Sequence, residues 1–290
     1  MNKKTFFYKR SNTLIKEILK QDLAKLLKEQ NLVSKLFSKK KYPDIYFFSG
    51  NLDEKSLEYI KNSQITITNS YSSKKEILDK LDSLDIKKDI EVIYPSVNID
   101  LQNEDEIKSR FLKEHNLNDE KLILFTAKNF KTNGVKEFLD ICSKLSFKNF
   151  KIIISGRKQE LNALDFTLTK YKNLQEKIIK LDENIFLEEL FIVSDIMILP
   201  THNRLISSNI VKAMYCKCVV FVSAKNDVKE LIDVYATMDK PSDPSTPFKV
   251  DAVLYEESEL NKIKEENSKI AQELSLKNNL EKFVDILNKI

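Results

Sequence analysis

The chain has 290 residues, 42% hydrophobic and 32% charged, with a net charge of +4. That suffices for two modest domains or one large one, and no run approaches the ~18–20 apolar residues of a membrane span. Cys142, Cys216 and Cys218 are too few for a disulfide framework, and a closed zinc site needs about four N or S ligands, so buried thiols and no metal are expected.

The opening "MNKKTFFYKRSN" is basic but lacks the apolar stretch of a secretory signal, which predicts a cytoplasmic protein. Residues 1–41 hold twelve Lys/Arg against Glu17, Asp22 and Glu29, a local +9 that leaves −5 for the remainder. Such asymmetry speaks of partners rather than of fold. Within it, "SNTLIKEILKQDLAKLLKEQ" (11–30) sets Leu14, Ile15, Ile18, Leu19, Leu23, Leu26 and Leu27 on one helical stripe with lysines opposite. Three readings are open: the stripe packs on its own domain, lies on an anionic membrane, or docks a protein partner. Lys16, Lys20 and Lys28 are the candidate contacts for the last two.

Strands are predicted at "DIYFFS" (44–49), "QITITNS" (64–70) and "IEVIYPSVNI" (90–99), with a serine-capped helix at 72–82. Residues 101–120 read as a linker with one short helix. From 121 the rhythm is regular. Strands at "KLILFTA", "FKIIISG", "EKIIKLD", "DIMILP" and "CVVFVS" alternate with helices at 134–145, 159–171, 186–194, 208–216 and 226–233. Such alternation implies a parallel sheet covered on both faces. Residues 239–248, "DKPSDPSTPF", break the pattern, and 255–290 form a charged amphipathic helix or helix pair. The domains expected are a basic helical segment (1–41), a reduced N-terminal α/β domain (42–100), the linker, a Rossmann-like domain (121–250) and a C-terminal helix (251–290).

The stretches "LILFTAKNFKTNGVKEFLDIC", "FKIIISGR", "FLEELFIVSDIMILPT" and "IVKAMYCKCVVFVS" resemble the C-terminal domain of the GT-B glycosyltransferases of family 4. Upstream, "PDIYFFSG", "ITITNSYSSKKEIL" and "IEVIYPSVNID" resemble the closing strands of that family's N-terminal domain, so the likeness spans about 190 residues. It implies two Rossmann-like domains and a nucleotide-sugar donor. It also implies two glutamates, spaced as Arg204 and Lys212 are, the first holding the donor sugar and the second accepting from the ribose. Both acceptors are donors here, and a lysine ammonium cannot accept a hydroxyl proton. The family's Gly-Arg and Lys-Gly pyrophosphate clamp falls on Ala127-Lys128 and Asn133-Gly134, and its helix-entry glycine on Ser207. Its glycine-rich opening loop and acceptor-side histidine have no counterpart: the first glycine is Gly50, and the first histidine, His115, lies in the linker.

Lys128, Arg204 and the amides of Ser207 and Ser208 would still suit a phosphate at a helix N-terminus; the other reading is of solvated charges on a retired site. His202 has no carboxylate beside it in sequence. The expectation is a non-catalytic glycosyltransferase-like protein with no catalytic residues and no cofactor, nucleotide-sugar binding being in doubt. It would act by protein contact as a scaffold, chaperone or assembly factor, beside a membrane protein or on the anionic inner membrane surface. The alternative is an active retaining transferase. Nucleic acid is not expected, since basic and aromatic residues do not interleave.

Overall fold

Thr5–Tyr8 form the first strand, β1, in a segment with no strand signature in its sequence. The computed structural model describes residues 3–28, 41–182 and 187–290. These fall into two units, Met1–Val97 with Leu274–Ile290, and Asn98–Glu273.

In the first unit β1 is followed by α1 (Thr13–Lys20), β2 (Lys25–Leu26), β3 (Ile45–Phe47), α2 (Glu54–Asn62), β4 (Ile65–Thr68), α3 (Tyr71–Asp82) and β5 (Asp89–Val92). The strands pair in the order β2-β1-β3-β4-β5, all parallel. Successive side chains of a strand face opposite ways, and the core divides accordingly. Phe6, Ile45 and Phe47 join Leu14, Ile15 and Ile18 of α1 on one side. Phe7, Tyr46 and Phe48 join Tyr59, Ile60, Ile77 and Leu81 of α2 and α3 on the other.

The helix expected over 11–30 therefore ends early. Asp22 takes φ 53, in the left-handed region that Asp tolerates better than most residues. The Leu23 amide then bonds back to the Ile18 carbonyl at 3.1 Å, and Lys25–Leu26 pairs with β1. The stripe of Leu14, Ile15 and Ile18, with Leu23 and Leu26 partly buried beside it, is core of its own unit. Residues 1–41 thus open an α/β unit rather than forming a separate helical segment; positions 29–40 of that stretch lie outside the described residues.

The second unit runs α4 (Glu104–Glu114), β6 (Lys121–Thr126), α5 (Val135–Ser143), β7 (Phe150–Gly156), α6 (Lys158–Leu168), β8 (Ile178–Asp182), α7 (Leu187–Val193), β9 (Ile196–Leu199), α8 (Ser208–Tyr215), β10 (Val219–Ser223), β11 (Thr237–Met238), α9 (Thr246–Tyr255) and α10 (Glu257–Gln272). Its sheet is ordered β11-β10-β9-β6-β7-β8, again all parallel. Its central strands are unbroken apolar runs because helices cover both faces. The short helix expected in the linker 101–120 is α4, which buries Phe111 and pairs Arg110 with Glu189 at 2.5 Å. Two expectations change here. The helix expected at 226–233 is instead a pair of 3-10 turns, Asp227–Glu230 and Val234–Ala236. The proline-rich stretch runs into α9, whose Pro247 sits in the first turn, where no amide bond is lost. Residue 186, at the start of the helix expected over 186–194, lies outside the described residues.

The expected C-terminal helix 251–290 is split. Residues up to α10 belong to the second unit, while α11 (Leu276–Asn288) returns to the first, placing Phe283 and Ile286 in the cluster of Phe6. The return is fixed where the Val97 amide donates to Leu274 and the Leu276 amide to Val97, at 3.0 and 2.8 Å. The three cysteines are buried and free, and burial pushes the Cys216 thiol up to about 12. Among the described residues no helix is long and apolar enough to cross a membrane.

Candidate functional site

In the second unit β6 and β9 are neighbours, but the sheet continues from β6 to β7 and β8 and from β9 to β10 and β11. Loops leaving the C-terminal ends of two such strands diverge and open a crevice, the usual ligand position of a parallel sheet. The loops are 127–134 and 200–207, those singled out in the sequence.

They are stitched together. Gly134 has φ 79, and a Cβ there would lie 2.0 Å from the Pro200 carbonyl oxygen, so only glycine permits both the turn and the approach. The Thr201 hydroxyl donates to Asn133 Oδ1 at 3.0 Å, and the His202 amide to the Thr132 carbonyl at 3.0 Å. From the far side Asn226 Nδ2 donates to the Asn203 and Leu205 carbonyls at 3.1 and 2.9 Å. The Asp227 amide donates to the Arg204 carbonyl at 2.8 Å.

Arg204 and Lys212 each face a carboxylate supplied by another element. Arg204 Nε is 3.2 Å from Asp227 Oδ1, with the Asp227 side chain only 4% exposed. Lys212 Nζ is 2.5 Å from Glu188 Oε1, at the first turn of α7. Ser207 caps α8, its hydroxyl accepting from the Asn209 amide at 3.3 Å, and Ser208 opens the helix on the surface. Lys128 is exposed on the facing loop. His202 Nε2 lies 3.5 Å from Glu137 Oε1, a carboxylate far away in sequence. His115 packs on the Phe111 ring at the end of α4, its ring centroid 4.4 Å away.

A model of the glycosyl transferases group 1 family matches residues 107–270, which include both loops. The chain belongs to the glycosyl transferases group 1 family. Solved structures extend the likeness to both units. A glycosyltransferase from Rickettsia africae is 15% identical with a TM-score of 0.74, over 100% of this chain and 99% of that one. Anabaena HepE in complex with UDP-glucose is 12% identical with a TM-score of 0.72, over 100% of both chains. Sucrose-phosphate synthase from Thermosynechococcus elongatus is 11% identical with a TM-score of 0.69, over 98% of this chain and 73% of its own. No curated protein sequence matches. The fold is thus the GT-B fold of these enzymes, with two Rossmann-like parallel-sheet domains.

Around this crevice, the carboxylates Asp227, Glu188 and Glu137 escape sequence reading. They come from a 3-10 turn, α7 and α5, and the spacing of Arg204 and Lys212 does not reveal them. The amide links of Asn133, Asn203 and Asn226 escape it for the same reason. Lys16, Lys20 and Lys28 are exposed on the first unit, Lys20 lying 3.7 Å from Glu17. A cavity of about 390 Å³ sits at the opposite end of the second sheet. Its Lys121, Lys217 and Lys264 are paired with Glu257, Glu265 and Asp195, so its charges offset one another. Among the described residues no cluster of three or more His, Cys, Asp or Glu is placed to hold a metal ion.

Proposed function

We propose that this family member has kept the GT-B architecture, given up glycosyl transfer, and works through protein contacts as a scaffold, chaperone or assembly factor in the cytoplasm. The observation that carries this is the state of the two positions where the family places acidic acceptors. Arg204 and Lys212 stand there, and each is engaged by a carboxylate of its own unit, Asp227 and Glu188. A guanidinium and an ammonium can only donate, so neither takes a hydrogen bond from a ribose or a sugar hydroxyl. Neither stabilises the positive charge that develops at the anomeric carbon during transfer. On this reading exposed Lys128 and the start of α8 at Ser207–Ser208, where a helix N-terminus favours an anion, are the remnant of the original donor site.

For the protein contact the support is electrostatic. The apolar stripe of α1 is buried, so Lys16, Lys20 and Lys28 offer charge without an apolar face to insert into a bilayer. Their partner is an acidic surface, of a protein or of the inner membrane, met from the cytoplasmic side. Reversing all three charges should abolish co-fractionation with that partner; unchanged fractionation and pull-down sink this part of the reading.

A second reading, an active transferase, is favoured by one contact. Glu188 lies 2.5 Å from Lys212, so a carboxylate reaches the place of the second family glutamate from a different helix. HepE, which this chain covers entirely, is seen with UDP-glucose. Calorimetry and turnover assays with a panel of nucleotide-sugars separate the two. The first reading expects no release of free nucleotide from any donor. Micromolar binding with turnover that Glu188→Gln abolishes establishes the second.

A further inference from the structure

Helix α9 is apolar on two sides. Pro247, Val250, Val253 and Leu254 are buried in the second unit, while Phe248, Ala252 and Tyr255, at i, i+4 and i+7, form a second row facing solvent. Phe248 is 76% exposed and Tyr255 59%. Single exposed apolar residues are ordinary, but two large aromatics two turns apart on one row, joined by Ala252, form a patch. Two neighbours widen the row. Phe147 stands edge-on to Tyr255 with ring centroids 5.3 Å apart, and the Tyr235 hydroxyl donates to the Lys249 carbonyl at 3.0 Å.

The order of residues along α9 indicates what covers it. Ala252 lies midway between the two aromatics, and a small residue there lets a second helix approach closely. On the other flank of the same row stand Lys249 and Glu256, spaced as Phe248 and Tyr255 are. Lys249 is anchored at the rim: Nζ donates to the Thr237 carbonyl at 3.1 Å, which uses one of its three protons. Place a second α9 antiparallel across a two-fold axis at Ala252. A two-fold preserves the flank and reverses the direction, so Phe248 meets Tyr255 of the second copy while Lys249 meets Glu256 of the second copy. Each contact occurs twice, the self-complementarity an isologous interface requires. An anionic membrane is disfavoured by Glu256, Glu257 and Glu259, which follow the row directly.

We propose that α9 is the core of a two-fold homodimer interface, in which Phe248 and Tyr255 interleave about Ala252 and Lys249 pairs with Glu256 of the second copy. This goes beyond the reading above and holds whether or not the chain transfers sugars.

Sedimentation equilibrium of the full chain, up to about 100 µM, tests it. The wild type should dimerise, and Phe248→Glu should weaken dimerisation by about a hundredfold or more. Lys249→Glu and Glu256→Lys should each weaken it by about tenfold, since like charges then face each other twice. The double variant Lys249→Glu, Glu256→Lys should regain wild-type affinity. So should an equimolar mixture of the two single variants, where opposite charges meet at both contacts. Circular dichroism melts confirm that each variant is folded, and the mixture needs no additional substitution. A wild type that stays monomeric to that concentration overturns the proposal. So does a dimer indifferent to Phe248→Glu, or charge variants that neither the double variant nor the mixture rescues.

Discussion

In the first unit the strand order reverses between β1 and β3, and one cation joins the loops there. Lys9 Nζ lies 3.0 Å from both Asp53 oxygens and 2.7 Å from the Ser56 hydroxyl, at the capped start of α2. In the second unit the reversal falls between β6 and β9, and the join is made of neutral amides, backbone carbonyls and Gly134. An exposed charged link tolerates movement and responds to salt and acid. A close-packed neutral one does neither and depends on backbone shape. The region matched by the family model therefore has the stiffer crevice floor.

The glycines give the largest test of that contrast. Gly134→Ala must carry a Cβ 2.0 Å from the Pro200 carbonyl at positive φ, and should cost about 3 kcal/mol or more in urea unfolding. Gly50→Ala in the first unit, at φ 116 with nothing within 4 Å, should cost only about 1–2 kcal/mol of backbone strain. Equal losses would erase the distinction. Next come the two cations of the site. Arg204→Ala leaves the buried Asp227 carboxylate without its guanidinium and should cost about 2 kcal/mol, less than a fully buried pair because Arg204 is a third exposed. Lys212→Ala, removing a pair whose glutamate is half exposed, should cost at most about 0.5 kcal/mol. Asn133→Ala, which removes the acceptor of the Thr201 hydroxyl, falls between them at about 1 kcal/mol in the same measurement.

The smallest effect belongs to the charged link. Bonds from the Ser56 hydroxyl and amide, and then from Lys9, hold the Asp53 carboxyl well below the usual carboxylate range. A lowered folded pKa means that its contribution is complete above the unfolded value near about 4 and is lost as the pH falls toward the folded one. Asp53→Asn should flatten that acid limb of the stability curve and leave neutral-pH salt dependence weaker. An unaltered acid limb would show that Lys9 and Asp53 are not coupled in solution.

The strands of the second unit were legible because a strand buried on both faces is a short apolar run between turns, as in "LILFT" and "IMIL". The strand-proline-loop-helix unit around Arg204 was legible for the same reason. β1 was not: "TFFY" is four residues among lysines, too short to show a period. The long stripe from Leu14 to Leu27 misled because Leu23 and Leu26 keep helical spacing after the chain has turned at Asp22. A positive φ at a non-glycine leaves no mark in hydrophobic periodicity. The carboxylates facing Arg204, Lys212 and His202 come from distant elements, and pairing at long range is set by topology rather than spacing.

The return of α11 also has a consequence for how the molecule is made. The strands of the first unit precede the second unit in sequence, but its core holds Phe283 and Ile286, which leave the ribosome only after the whole second unit. The second unit is contiguous and has all of its strands once β11 has emerged. Domains are usually completed in N-to-C order during synthesis. Here the later-encoded domain can finish first, and the earlier one waits with α1 on that face but without the Phe283 ring that packs on Phe47, 5.7 Å between centroids. A nascent chain arrested before Leu274 should therefore resist protease over the second unit while remaining cleavable throughout the first.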